Sequence, residues 1–200
     1  MAISVAIVAG FSIGTELVMF RPMRRRKAGV LQLILMTIGL GFMIRYTIQF
    51  FAGTEPRKLN VNVTDTIEFL GLSIGRTQLI VVIVGLIVLA CVALMLRRTS
   101  LGRQMRALAD NFDLAETTGI NTGGIVILTW ALAGGLAGLA GVLVGASIND
   151  FRPETFFPFL LSLFAAVTLG GIGNAYGALA GGMVIGITQE WSTIVIDSEW

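Results

Sequence analysis

Two charged residues interrupt apolar runs near the N-terminus, and they are the first candidates for chemistry. Glu16 breaks the run 1–20, and Arg45 breaks the run 28–52. A charge at mid-bilayer costs about 2.5–3.5 kcal/mol on insertion scales, so such residues face protein or water. Glu16 lies about one turn from the end of its run, near Arg21 and Arg24. That position suits a snorkelling, salt-bridged carboxylate. Arg45 sits toward the opposite edge, where its aliphatic stem can carry the guanidinium to the interface. The two depths differ, so the pair is not matched. A proton relay or a substrate ligand is the sharper reading of each. The remaining toolkit is sparse: the chain has no His, the commonest general base and zinc ligand, and its single Cys91 lies within an apolar run. With no Cys–His pair and no acids paired at one depth, neither catalysis nor a metal site is expected.

A second candidate is the segment Thr168-Leu-Gly-Gly-Ile-Gly-Asn-Ala-Tyr-Gly177, with glycine at four of its ten positions. Glycine density of this kind suits a tight turn with positive φ angles. It lacks the G-x-x-x-x-G-K-[ST] pattern of a phosphate-binding loop, and no Lys is near.

The most informative stretch is 97–123. Leu101, Met105, Leu108, Phe112 and Ala115 recur at steps of four and three, which puts them on one helical face. Arg103, Arg106, Asp110, Asp113 and Glu116 occupy other positions, and Gly119 is a helix stop. Asp110 and Asn111 offer a break into two short helices, the second capped at its start. A membrane-surface helix usually carries a basic polar face. The mixed charge here suits a helix that docks on protein.

The elements that must position these residues follow from composition. The 200 residues are 55% hydrophobic and 13% charged, about half the charge of a soluble domain. Six apolar stretches read as spans: about 1–20, 28–52, 78–96, 124–145, 156–169 and 176–196. The expected fold is therefore all-α, a single polytopic membrane helix bundle (residues 1–200) with a short amphipathic cytoplasmic helix in the loop 97–123. Lys and Arg number nine in the segments 21–27 and 97–123, against four in the opposite connections. That bias places the first set in the cytoplasm. The basic cluster follows the first apolar run, so this run is not read as a cleaved signal. Between the second and third spans, alternating Leu59, Val61 and Val63 suggest a short strand paired with 67–74 across Thr64-Asp65. Small-xxx-small pairs, Gly134 with Gly138, Gly141 with Gly145, Gly177 with Gly181 and Gly182 with Gly186, favour close helix packing in lipid.

Three motifs now stand in order along the chain. Ser100-Leu-Gly-Arg-x-x-Arg-Ala-x-Ala-Asp-Asn-x-x-x-Ala-x-x-x-Gly-Ile-Asn121 resembles the cytoplasmic loop of branched-chain amino acid ABC transporter permeases. Arg21-Pro22-Met23-Arg24, preceded by Glu16, resembles that family's Arg-Pro-hydrophobic-Arg element. The segment from Val167 through Gly170, Gly171, Gly173 and Gly177 to Ala178 is similar to its late Gly-Gly-Ile-Gly turn. The resemblance is to the H-type inner-membrane subunit of high-affinity importers. It implies a coupling helix, with Leu101, Gly102, Arg103, Met105, Arg106, Leu108, Asp110, Phe112, Asp113, Ala115 and Gly119 at the ATPase contact. The general importer pattern Glu-Ala-Ala-x-x-x-Gly becomes Asp113, Leu114, Ala115 and Gly119, without the usual downstream Leu-Pro.

The partners implied are ABC ATPase subunits, a second permease subunit, an extracytoplasmic substrate-binding protein and the lipid bilayer, with no nucleic acid. ATP would stay on the partner subunits, and this chain would hold no cofactor. The location implied is a prokaryotic plasma (inner) membrane. Similar permeases begin with two further spans and end with another, so the resemblance implies a chain truncated at both ends. The substrate implied is a branched-chain amino acid. Urea or a short amide within the family, and an ion-coupled secondary transporter outside it, are the alternatives.

Overall fold

The computed structural model describes residues 1–53, 66–69, 72–148, 157–171 and 173–195. Among the described residues the architecture is all-α apart from one short hairpin. Helix α1 spans Ala2–Thr15, a π-helical stretch spans Glu16–Phe20, and α2 spans Arg21–Arg25. These three run on as one rod, longer than the expected span ending at residue 20. Pro22 lacks an N–H and would normally break a helix. The π-helical stretch absorbs it: Arg21 N–H donates to the Glu16 carbonyl, five residues back. Four bonds then close the end of α2, including Ala28 N–H to Met23 O at 3.1 Å, with Lys27 at φ 54°.

Helix α3 (Val30–Ala52) opens at Gly29, whose N–H donates to Gln32 Oε1 at 3.1 Å. Strands β1 (Thr66–Phe69) and β2 (Leu72–Gly75) pair antiparallel, with Ile67 opposite Ile74. Residues 67 and 74 are thus partners of each other, and the expected turn at Thr64-Asp65 lies outside the described residues. The expected strand at 59–63 lies outside the described residues. Helices α4 (Arg76–Arg98), α5 (Ser100–Asp110), α6 (Phe112–Thr117) and α7 (Thr122–Ile148) follow, then α8 (Phe157–Gly170) and α9 (Ala175–Val195).

Among the described residues, four helices are long and apolar enough to cross a membrane: Ala2–Arg25, Val30–Ala52, Arg76–Arg98 and Thr122–Ser147. Their apolar side chains are largely exposed within the chain, as expected where lipid or other helices cover them. α8, with 14 residues, rises only about 21 Å against a hydrocarbon core of about 30 Å.

The chain divides into two compact units, Met1–Pro153 and Glu154–Trp200. In the first, α1 packs along α7. Ser12 Oγ donates to the Trp130 carbonyl at 2.8 Å, and the Phe20 and Trp130 rings lie 4.8 Å apart. A β-carbon on Gly134 would collide with Ser12, and one on Gly138 would come within 3.0 Å of Val8 Cβ. In the second unit α8 packs on α9. Gly170, Gly177 and Gly181 leave no room for a side chain against the facing backbone. Asn174 Oδ1 accepts from Tyr176 N–H and Gly177 N–H at 3.1 and 3.2 Å, and Gln189 Nε2 donates to Ser162 Oγ at 3.0 Å.

Candidate coupling site

The loop between α4 and α7 folds as two short helices held at both ends. Thr99 makes the first corner. Its Oγ1 donates to the Met95 carbonyl at 2.6 Å and accepts from Gly102 N–H at 3.1 Å, so one hydroxyl closes α4 and caps α5. Gly102 is buried and lies directly against the Leu96 backbone, where a β-carbon has no space. Arg106 donates to the Leu96 carbonyl from one helical turn further along. The start of α5 is thereby fixed to the end of α4. The motif from Ser100 to Gly102 and Arg106 was visible in the sequence; Thr99 was missed there, although Ser or Thr just before an apolar-periodic run is an N-cap signal.

Asn111 makes the second corner. Its Oδ1 accepts from Leu114 N–H at 3.0 Å, capping α6. The extended backbone at Asn111 (φ −156°, ψ 107°) interrupts the helical face. Leu101, Met105 and Leu108 are half-buried on α5, which packs against α4 and α7, while Arg103 and Asp110 are exposed. On α6, Ala115 faces inward at 4% exposure, whereas Phe112 and Leu114 are 46% and 61% exposed. The five apolar residues that share a face in an unbroken helix are thus divided: the α5 members pack against the chain itself, and Phe112 remains available. Gly119, at φ +83°, ends α6, with Gly119 N–H donating to Glu116 O at 3.1 Å. Asn121 Oδ1 then accepts from Gly124 N–H at 3.0 Å, starting α7.

The structure brings this loop beside the charged end of the first helix. A cavity of about 650 Å³ is lined by Glu16, Arg21, Arg24 and Arg25 from one side, and by Phe112, Asp113 and Glu116 from the other, over a floor that includes Val126 and Ile127 of α7. Glu16 is 1% exposed and ion-paired with Arg24; its second oxygen, Oε2, has no hydrogen-bond partner among the described residues. The sequence treated these charges and the loop separately. The signal joining them was the excess of Lys and Arg, which assigned both segments to one side of the membrane. Arg45 lies elsewhere, with its guanidinium 5.9 Å from the Tyr46 ring centre. Of the glycines singled out for packing, Gly134 and Gly138 meet α1 and Gly170, Gly177 and Gly181 join α8 to α9. Gly145 is buried, Gly141 faces open space, and Gly171 and Gly173 take positive φ values of 90° and 92°.

Mechanically, the loop is an elbow. Motion imposed on α6 would pass through fixed corners into α4 and α7, and from α7 through the glycine-lined contact into α1.

The comparisons agree on one kind of protein. The profile of the family described as "Branched-chain amino acid transport system / permease component" matches residues 1–200. The chain is 30% identical over 204 residues to the high-affinity branched-chain amino acid transport system permease protein LivH of Escherichia coli (strain K12), covering 100% of this chain and 65% of that protein. It is 29% identical, with the same coverage, to the LivH protein of Salmonella typhimurium. It is also 30% identical over 199 residues to the ribose import permease protein RbsC of Escherichia coli (strain K12), covering 94% of this chain and 60% of that one. The chain thus spans about two thirds of the length of these relatives, or slightly less. No solved structure matches significantly.

Proposed function

Because the chain belongs to the branched-chain amino acid transport permease family, we propose that it acts as a membrane-spanning permease subunit of an ATP-driven importer for leucine, isoleucine and valine. The observation that carries the reading is the elbow: Thr99 ties α5 to α4, Asn111 and Asn121 cap α6 and α7, and the elbow holds Phe112 and Leu114 exposed. A rigid element with exposed apolar anchors can be seized by a partner and made to transmit its motion.

In this reading the partner is an ABC ATPase subunit, and ATP binding and hydrolysis stay in that chain. A second permease subunit completes the pathway, and an extracytoplasmic binding protein delivers the substrate. The setting is the plasma (inner) membrane of a prokaryote. The names of the LivH relatives support the choice of branched-chain amino acids. A sugar is the second reading, on the likeness to the ribose import permease.

The test is uptake into proteoliposomes carrying the permease, its ATPases and its binding protein. Labelled leucine should enter with ATP, and excess isoleucine should compete where ribose does not. Phe112→Asp should uncouple the system, with uptake lost while the ATPases still hydrolyse ATP. Undiminished uptake by Phe112→Asp would count against the elbow as the coupling element, and competition by ribose alone would overturn the substrate.

A further inference from the structure

We propose that the cavity between the first helix and the elbow is a binding site for a zwitterion with an apolar side chain, on the face assigned to the cytoplasm. The argument starts from charge balance. The named acidic and basic residues of its lining are three cations, Arg21, Arg24 and Arg25, and three anions, Glu16, Asp113 and Glu116. Glu16 and Arg24 pair with each other. Arg21 also lies close enough to act on Glu16, which leaves Arg25 on the first helix and Asp113 and Glu116 on α6, whose side chains make no ion pair or hydrogen bond among the described residues.

A cavity of balanced charge with its two signs held on opposite walls favours a molecule that is neutral overall and carries both signs. A carboxylate belongs on the guanidinium wall, where planar two-point hydrogen bonding is available. An ammonium belongs on the carboxylate wall. Phe112, Val126 and Ile127 add apolar surface between them, suited to an aliphatic or aromatic side chain. The pairing of Arg24 with the buried Glu16 holds the guanidinium side in place. At about 650 Å³ the cavity holds a molecule of amino-acid size with room for water. Because Asp113 and Glu116 ride on the elbow, occupancy would resist any movement of α6 toward or away from α2.

The choice of leucine as probe rests on the transport reading; the chemical class of the ligand does not. The experiment is a titration of the full chain in lipid nanodiscs with labelled L-leucine, with glycine, isovalerate and isoamylamine as competitors. Leucine should bind saturably. Isovalerate and isoamylamine, each lacking one charge, and glycine, lacking the side chain, should each be at least about tenfold weaker. Arg25→Gln and Glu116→Gln should each weaken leucine about tenfold, while both variants keep the wild-type elution volume and helical circular dichroism. Absence of saturable binding, equal affinity in both variants, or isoamylamine binding as tightly as leucine would overturn the site. Uptake in the complete system is scored separately. Leucine import without this binding sinks the inference alone, and binding without leucine import sinks the transport reading alone.

Discussion

At the level of single residues, the Glu16–Arg24 pair sets an asymmetric test. Glu16 is 1% exposed and Arg24 43%, so the two partners lose different things when the other is removed. Arg24→Met leaves the interior carboxylate with only Arg21 nearby, and stranding a buried polar group in this way costs about 1–3 kcal/mol. Glu16→Gln leaves a guanidinium that can turn to water, and the loss should be nearer about 1 kcal/mol. Chemical unfolding in mild detergent should rank Arg24→Met below Glu16→Gln, and the reverse order would mean that the pair is not the main support of Glu16. The sequence showed that Glu16 needed a cationic neighbour and offered Arg21 and Arg24. It did not single out Arg24, because the π-helical stretch resets the register between positions 16 and 24 and no periodicity rule anticipates it. Gly102 gives a second residue-scale test. A β-carbon there meets backbone, the Leu96 carbonyl, which cannot rotate away. Gly102→Ala should cost about 1–3 kcal/mol through overpacking and reduce uptake, and a neutral effect on both would show that the α4–α5 corner is soft.

At the level of elements, what was legible followed one rule: signals written in consecutive residues were readable, and signals written in contacts were not. The apolar runs gave the helices to within a few residues, because a lipid-facing helix must be apolar along its whole length. The break at Asn111 was readable because a capping side chain states its own position. What the sequence hid was its consequence. Treated as one helix, Leu101, Met105, Leu108, Phe112 and Ala115 form a single ridge. Treated as two, the ridge turns inward along α5 and only Phe112 stays exposed. Asn111→Ala removes the bond to Leu114 N–H, and cap losses of this kind cost about 0.5–2 kcal/mol. Because α6 has six residues, it is too short to persist without its cap. Hydrogen exchange should accordingly rise at the amides of residues 114–117 in Asn111→Ala, with the protection of α7 unchanged. Protection retained in α6 would show that docking of Ala115, not the cap, holds it.

At the level of the whole molecule, coupling and the zwitterion site both depend on which face of the membrane the elbow occupies. Nine of the basic residues sit in the segments 21–27 and 97–123, and the structure gathers parts of both around one cavity. Two segments that meet must share a face, so the charge bias of each strengthens the assignment of the other. Helix α4 supplies the ruler. Its 23 residues rise about 34 Å, more than the hydrocarbon core, so Gln78 at one end and Thr117 beyond the other belong to opposite faces. Cys91 is the only cysteine in the chain, and Cys91→Ala gives a clean background. In intact cells an impermeant maleimide should label Gln78→Cys and leave Thr117→Cys untouched until the membrane is broken. Labelling of Thr117→Cys from outside would invert the topology. It would put the elbow where no ATPase can reach it, and the drive for transport would then have to come from an ion gradient, for which the apolar helices α4 and α7 offer no charged residue at mid-depth.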